Sequence, residues 1–163
     1  MIRTVGLVAK YQEPKAAQMV RWLVPWLKKR GKKVCVENGL ARSGARSCSK
    51  KEMAAKADLI ISLGGDGTLL NIAPLVERPD VPILGVNLGR LGFLTCCPAA
   101  QLEEALRRLA AKDFVAESRM TLDARVANAD GIEQERWREL NDIVLHKGGF
   151  ARVVSVRVAV DGE

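Results

Sequence analysis

The chain has 163 residues, 48% apolar and 28% charged, enough to build a core and too apolar for disorder along its length. No run approaches the ~18 apolar residues of a membrane helix, and the N-terminus has neither the apolar stretch nor the cleavage site of a secretory signal, so a cytoplasmic protein without a membrane partner is expected. The net charge of +7 is uneven, with +11 on residues 1–56 and −4 on the remainder. Such a basic first third suits either nucleic acid or a solvated surface that attracts small anions. The scattered bases and the 4% aromatic content favour the second, and no nucleic-acid partner is expected.

Residues 3–9 (RTVGLVA) have the pattern of a short buried strand. A helix is expected from Pro14, which suits a first turn, to Arg30, where Gly31 stops it. Met19, Trp22, Leu23, Trp26 and Leu27 recur at helical spacing and are expected to face the core, with Pro25 kinking the helix. Residues 32–37 (KKVCVE) form a second strand and 38–48 a Gly/Ser/Arg-rich loop. Ser49 and Glu52 have capping-box spacing for a short helix through Ala57. The apolar run 58–63 is a buried strand, Gly64-Gly65-Asp66-Gly67-Thr68 follows, and a helix is expected over 69–75. A further buried strand covers 81–86, a Gly-punctuated loop 87–95, and a helix 101–111 with Leu102, Ala105, Leu106 and Leu109 on one face. Strands alternating with helices make an α/β domain with a parallel sheet, assigned to residues 1–113.

The period changes after Asp113. Residues 119–127, 132–146 and 151–160 alternate apolar and polar, with Val154, Val156, Val158 and Val160 on one face, and Asn128-Ala-Asp-Gly131 is a hairpin-like turn. This is expected to open an antiparallel β-sandwich domain over 114–163. Asp161-Gly162 begins a turn with no returning strand, so the expectation is that the chain ends within a domain.

Few groups are equipped for chemistry. Cys35, Cys48, Cys96 and Cys97 lack Cys-x-x-Cys spacing and His146 is the only histidine, so reduced thiols are expected, with neither a zinc site nor a Ser-His-Asp triad; no metal ligand is assigned. The glycine-rich turn at 64–68 stands out. At the carboxyl end of a buried parallel strand, such a turn lies where α/β proteins bind ligands. Gly64, Gly65 and Gly67 let backbone N–H groups approach phosphate oxygens, and Thr68 can cap the next helix or touch a phosphate. Asp66 can hold a metal ion or accept a proton from an attacking hydroxyl. A plain tight turn with Asp66 as helix N-cap is the alternative. Neither a P-loop nor a Gly-x-Gly-x-x-Gly fingerprint is present.

The pentapeptide 64–68 resembles the signature that NAD kinases share with diacylglycerol and sphingosine kinases and, more distantly, with phosphofructokinases. Residues 86–94 (VNLGRLGFL) resemble the NAD kinase loop after the next strand. Leu140-Asn141-Asp142-Ile-Val-Leu145 resembles that family's Asn-acid pair opening a β-domain strand. The resemblance implies a first domain of Rossmann or phosphofructokinase type and transfer of the ATP γ-phosphoryl to the 2′-hydroxyl of the adenosine ribose of NAD. Mg²⁺ or another divalent cation would assist. By that resemblance Asp66 is the catalytic acid/base, and Asp66 and Gly67 lie against the ribose. Asn141, Asp142 and Arg152 contact NAD, Phe93 packs near the adenine, and Gly64, Gly65 and Thr68 serve phosphate. It also implies a homodimer or homotetramer. The sequence departs from the family at Asn71, where many members are basic, and at Asp142, where Glu is commoner. The family's Thr-rich segment that completes the NAD pocket would lie beyond Glu163, so activity of these 163 residues alone is not implied. A lipid kinase sharing the pentapeptide and a basic nucleic-acid-binding module are the competing readings.

Overall fold

The computed structural model describes residues 2–10, 13–40, 44–89, 92–145 and 155–161. Six parallel strands form one sheet: β1 (Thr4–Ala9), β2 (Lys33–Glu37), β3 (Arg46–Cys48), β4 (Leu59–Gly64), β5 (Ile83–Asn87) and β6 (Cys97–Pro98), in the order β3-β2-β1-β4-β5-β6. The central strands are continuous apolar runs because helices cover both faces. On one face α1 (Pro14–Lys29) and α4 (Leu102–Ala110) pack on Val5, Leu7, Val34, Val36, Leu59, Ile61 and Leu63. On the other, α2 (Lys50–Lys56) and the segment that follows β4 bury Val8, Ile60, Met53, Ile72 and Val81.

Strand order decides where a ligand can enter. The chain builds outward from β1 to β2 and β3, then returns to add β4, β5 and β6 on the other side. The carboxyl ends of β1 and β4 therefore flank the point where the winding reverses, where the connections leave in opposite directions and open a crevice. The turn 64–68 is the exit from β4.

Local signals explain most element ends. Ser49 accepts a bond from the N–H of Glu52 (3.1 Å) and starts α2. The Glu52 carboxylate does not return to Ser49; it pairs with Arg46 and Lys56. Gly31 takes a positive φ of 71° just past α1. The Asp58 carboxylate receives the N–H groups of Arg3 and Thr4, both at 2.8 Å, fastening the start of β4 to β1.

Several expectations are corrected. On α1, Leu23 and Leu27 are buried and Met19 and Trp26 pack against the core as expected, joined by Ala16, Val20 and Val24, whereas Trp22 is 39% exposed. The sheet surface takes the narrower aliphatic side of the helix. Trp22 and Trp26 stack against each other at 6.1 Å, with the Arg30 guanidinium 3.5 Å over Trp26. The loop 38–48 ends in β3, a strand too short to show periodicity, whose pairing is supplied by the open edge of β2. The helix expected over 69–75 starts earlier, as α3 (Asp66–Leu70), and gives way to a 3₁₀ turn at Ala73–Leu75. Pro74 has no N–H for the carbonyl of Leu70, so the helix cannot propagate. Residues 97–98 add an unexpected sixth strand.

After α4, β7 (Leu122–Ala127) and β8 (Glu133–Glu139) form an antiparallel hairpin around the expected 128–131 turn. Asn128 Oδ1 accepts from Asp130 N–H at 3.1 Å and Ile132 N–H at 2.8 Å. β8 runs beside the 73–75 turn. The strand expected over 132–146 stops at Glu139, and 141–145 pairs with no strand among the described residues. Residues 155–160 likewise form no strand, because alternation alone supplies no partner; residues 151–154, with Val154, lie outside the described residues.

Candidate nucleotide site at the switch point

The turn after β4 is built by contacts that distinguish its glycines. A Cβ on Gly64 would fall 2.1 Å from Thr68 Oγ1 and 2.9 Å from Thr68 Cβ, so Gly64 lets α3 fold back over the strand end. A Cβ on Gly65 or Gly67 would meet nothing within 4 Å, and neither residue has a positive φ. The fold therefore has no steric or conformational need for glycine at 65 or 67. Both present bare backbone to the crevice, the arrangement that close approach of a ligand requires.

Donors are free at the same place. Among the described residues the N–H groups of Gly65, Asp66 and Gly67 find no acceptor; the first turn closes with Thr68 N–H on Gly65 O at 3.0 Å. Three consecutive unpaired amides at a strand-to-helix turn make a cradle for anionic oxygens. The Asn71 side chain bonds Gly67 O at 2.8 Å and closes the other end of α3.

Asp66 is not the N-cap. That position is Gly65, and the Asp66 carboxylate makes no capping bond. It turns instead to the 92–95 loop. Oδ2 accepts from Phe93 N–H at 2.8 Å, and Oδ1 accepts from Thr95 N–H and Thr95 Oγ1, both at 2.9 Å. A Cβ on Gly92 would lie 2.2 Å from Oδ1, so only glycine fits beside the carboxylate. Desolvation pushes the Asp66 carboxyl upward. The Thr95 hydroxyl and the N–H groups of Phe93, Leu94 and Thr95 outweigh it and hold the group below the ordinary carboxylate value. Asp66 is thus an anion in the neutral range and joins the motif to the loop after β5.

Phe93 is 84% exposed although its backbone is fixed by Asp66. It is not a core residue, and its ring is free to stack on a planar ligand, with the Arg119 guanidinium 5.7 Å above it. Asn141 and Asp142 are exposed and bond each other, Nδ2 to Oδ1 at 3.0 Å; among the described residues neither bonds to the motif. Arg90, His146 and Arg152 lie outside the described residues.

Three residues at this site were given no role from the sequence, although Asn87 lies within the 86–94 loop. Lys10 leaves β1 on the other lip of the crevice, its N–H on Leu63 O at 2.9 Å. Asn87 and Thr95 are buried polar side chains behind Asp66, bonded to each other at 2.9 Å. All three become visible only once the strand order sets β1 and β5 on either side of β4.

Comparisons with known proteins give the family and the fold. Residues 5–114 match the family model described as the ATP-NAD kinase N-terminal domain. The chain belongs to the ATP-NAD kinase family. Among curated NAD kinases, that of Gemmatimonas aurantiaca is 58% identical over 106 residues, 65% of this chain and 37% of the relative. That of Syntrophotalea carbinolica is 40% identical over 163 residues, 98% of this chain and 57% of the relative. This ATP-NAD kinase family chain thus spans about half the length of such relatives. In fold it is similar to yeast NADH kinase complexed with NADH, with a TM-score of 0.72 at 17% identity, covering 84% of this chain and 46% of that one. It is also similar to an NAD kinase from Archaeoglobus fulgidus in complex with ATP, with a TM-score of 0.52 at 24% identity, covering 83% and 57%. The family match favours neither the lipid kinase nor the nucleic-acid reading. No helix among the described residues is long and apolar enough to cross a membrane.

Proposed function

We propose that the protein phosphorylates the 2′-hydroxyl of the adenosine ribose of NAD with ATP, giving NADP and ADP. The observation that carries this reading is the turn at the switch point, where the amides of Gly65, Asp66 and Gly67 have no acceptor among the described residues and stand beside one anionic carboxylate. Family membership supplies the reaction class. The names of its relatives, one solved with NADH and one with ATP, support the choice of nucleotides.

In this reading Gly65, Gly67 and Thr68 take phosphate oxygens, while Gly64 serves by letting Thr68 close over it. Asp66 and Gly67 lie against the ribose, and the exposed Phe93 ring covers the adenine. Asn141, Asp142 and Arg152 complete the NAD contacts. The ribose oxygen forms a bond to the γ-phosphorus as the bond to the β–γ bridging oxygen breaks, and ADP leaves. The hydroxyl proton passes to Asp66 and then to solvent. A carboxylate held below its ordinary pKa is a weak base. It suits a loose phosphoryl-transfer transition state, in which orienting the hydroxyl matters more than removing its proton early.

Among the described residues no three His, Cys, Asp or Glu side chains converge. The chain's donor set therefore fits a divalent cation carried by the nucleotide phosphates, where it offsets triphosphate charge, rather than one caged by protein. We also place the protein in the cytoplasm, assign 1–113 and 114–163 to separate domains, and expect copies of it to associate. Free thiols at all four cysteines, two separate sheets, and the exposed Val115, Met120 and Leu145 support these points in turn.

The test is formation of NADP from NAD, ATP and Mg²⁺ by the intact protein. Asp66→Asn is expected to lower kcat by about a hundredfold or more while the chain stays folded. An unchanged rate in Asp66→Asn would remove the role given to Asp66. Phosphorylation of diacylglycerol instead of NAD would redirect the reading to a lipid kinase.

A further inference from the structure

The two oxygens of Asp66 are treated differently by the fold. A carboxylate offers roughly four acceptor positions. Thr95 fills both on Oδ1, through its N–H and its hydroxyl, each at 2.9 Å. Among the described residues Oδ2 receives only Phe93 N–H within hydrogen-bonding geometry, at 2.8 Å, with the Leu94 N–H adding a weaker pull on the carboxylate. Behind Thr95 stands Asn87, whose Nδ2 donates to Thr95 Oγ1 at 2.9 Å while its Oδ1 accepts from Gly89 N–H at 2.8 Å. Thr95 is 1% exposed and Asn87 5%. The Asn87 bond occupies an acceptor side of the Thr95 hydroxyl and directs its proton toward Asp66. A chain of hydrogen bonds therefore runs Gly89 → Asn87 → Thr95 → Asp66, buried at Asn87 and Thr95 and open toward solvent at Gly89.

We infer that Asn87 and Thr95 are positioning residues that lock Oδ1 of Asp66 and present Oδ2 as the oxygen that receives the substrate hydroxyl. This rests on the phosphoryl-transfer reading above and assigns a function to a pair of side chains that touch no substrate. Both are buried polar side chains whose bonds converge on the Asp66 carboxylate through Thr95. Each bond in the chain is charge-assisted or polarised by one that is, so loss of the Thr95 hydroxyl is felt at the carboxylate. Gly92 belongs to the same device, because it leaves the space in which the locked carboxylate lies.

The decisive measurement is the titration of the Asp66 carboxyl carbon, followed by carbon-detected NMR in wild type, Thr95→Val and Thr95→Ser. Thr95→Val keeps the shape and removes the donor, and an upward shift of the Asp66 midpoint is expected. Thr95→Ser restores the hydroxyl and is expected to restore the midpoint. If Thr95→Val does not fold, Asn87→Ala, which leaves Thr95 in place but frees its hydroxyl proton to turn away, is expected to move the midpoint in the same direction. In the NAD phosphorylation assay Thr95→Val is expected to lose about tenfold in kcat, with KM for NAD within about twofold, and Thr95→Ser to recover it. An Asp66 midpoint that is identical in wild type and in the folded variant overturns the inference. So does a loss in Thr95→Val confined to KM. The titration decides the point even if NAD is not the substrate, so its failure is distinct from failure of the kinase reading.

Discussion

Residues 4–110 and residues 114–160 treat their apolar side chains in opposite ways. In the first region Leu7, Leu23, Ile60, Ile61, Leu63 and Leu102 are fully buried between a six-stranded sheet and helices on both faces. In the second, Val115, Met120, Val126, Ile132, Val144, Leu145, Val156 and Val158 are exposed, and order rests on a two-stranded hairpin. A hairpin of two strands is marginal in water without a packed face. The contrast shows where rigidity is available. The turn 64–68 and the loop 92–95 stand on strands of the packed sheet, so Asp66 can be held in one orientation. Asn141 and Asp142 stand beyond β8, where local packing holds them little.

Core truncation gives the largest expected difference between the regions. Ile61→Ala is expected to cost about 2–5 kcal/mol in urea unfolding, and Val158→Ala to stay within about 0.5 kcal/mol. Comparable losses at both sites would mean that the second region is packed after all.

The glycines sharpen the contrast within the first region. Gly92→Ala puts a methyl carbon onto the Asp66 carboxylate, 2.2 Å from Oδ1. It is expected to cost about 1–3 kcal/mol as the Oδ1 bonds open. Gly67→Ala meets open space and is expected to leave stability unchanged, or to raise it by up to about 1 kcal/mol through helix propensity. The same change is expected to weaken nucleotide binding at least tenfold, read by calorimetry. A Gly67→Ala protein that binds nucleotide normally would return residues 64–68 to an ordinary turn.

Acid separates the regions more weakly. Asp58 is held below its ordinary value by the N–H groups of Thr4 and Arg3, and Asp66 by the bonds to Thr95 and its neighbours after desolvation is overcome. For a depressed carboxylate, the stabilisation is present above the unfolded pKa of about 4 and is lost as pH falls through the lower folded value. The first region is therefore expected to lose stability below about pH 4, and Asp58→Asn to flatten that loss. Asp123 is drawn down to about 2 by the Arg136 guanidinium, yet the pair is solvent-exposed. Asp123→Asn is expected to leave the acid transition unmoved.

Legibility followed the same physics. β1, β2, β4 and β5 were readable because parallel strands buried on both faces are apolar without interruption. β3 and β6 were not, because three and two residues carry no periodicity and a neighbour's edge determines their pairing. The 128–131 turn was readable from Asn and Gly, whereas 155–160 alternated without finding a partner. At the site, Asp66 and the glycines announced themselves, and Phe93 was readable through its loop. Asn87 lay in that same loop without a role of its own, and Thr95 and Lys10 were silent, since a buried Thr or a strand-end Lys means nothing until the sheet order brings it beside Asp66.

The central claim is that the turn after β4 offers bare amides to a nucleotide. A titration of the ¹⁵N-labelled protein with ATP and with NAD, followed amide by amide, tests it most directly. The Gly65, Asp66 and Gly67 resonances are expected to move first and furthest, with Phe93 shifting alongside. Saturable shifts elsewhere, with those three amides stationary, would contradict it.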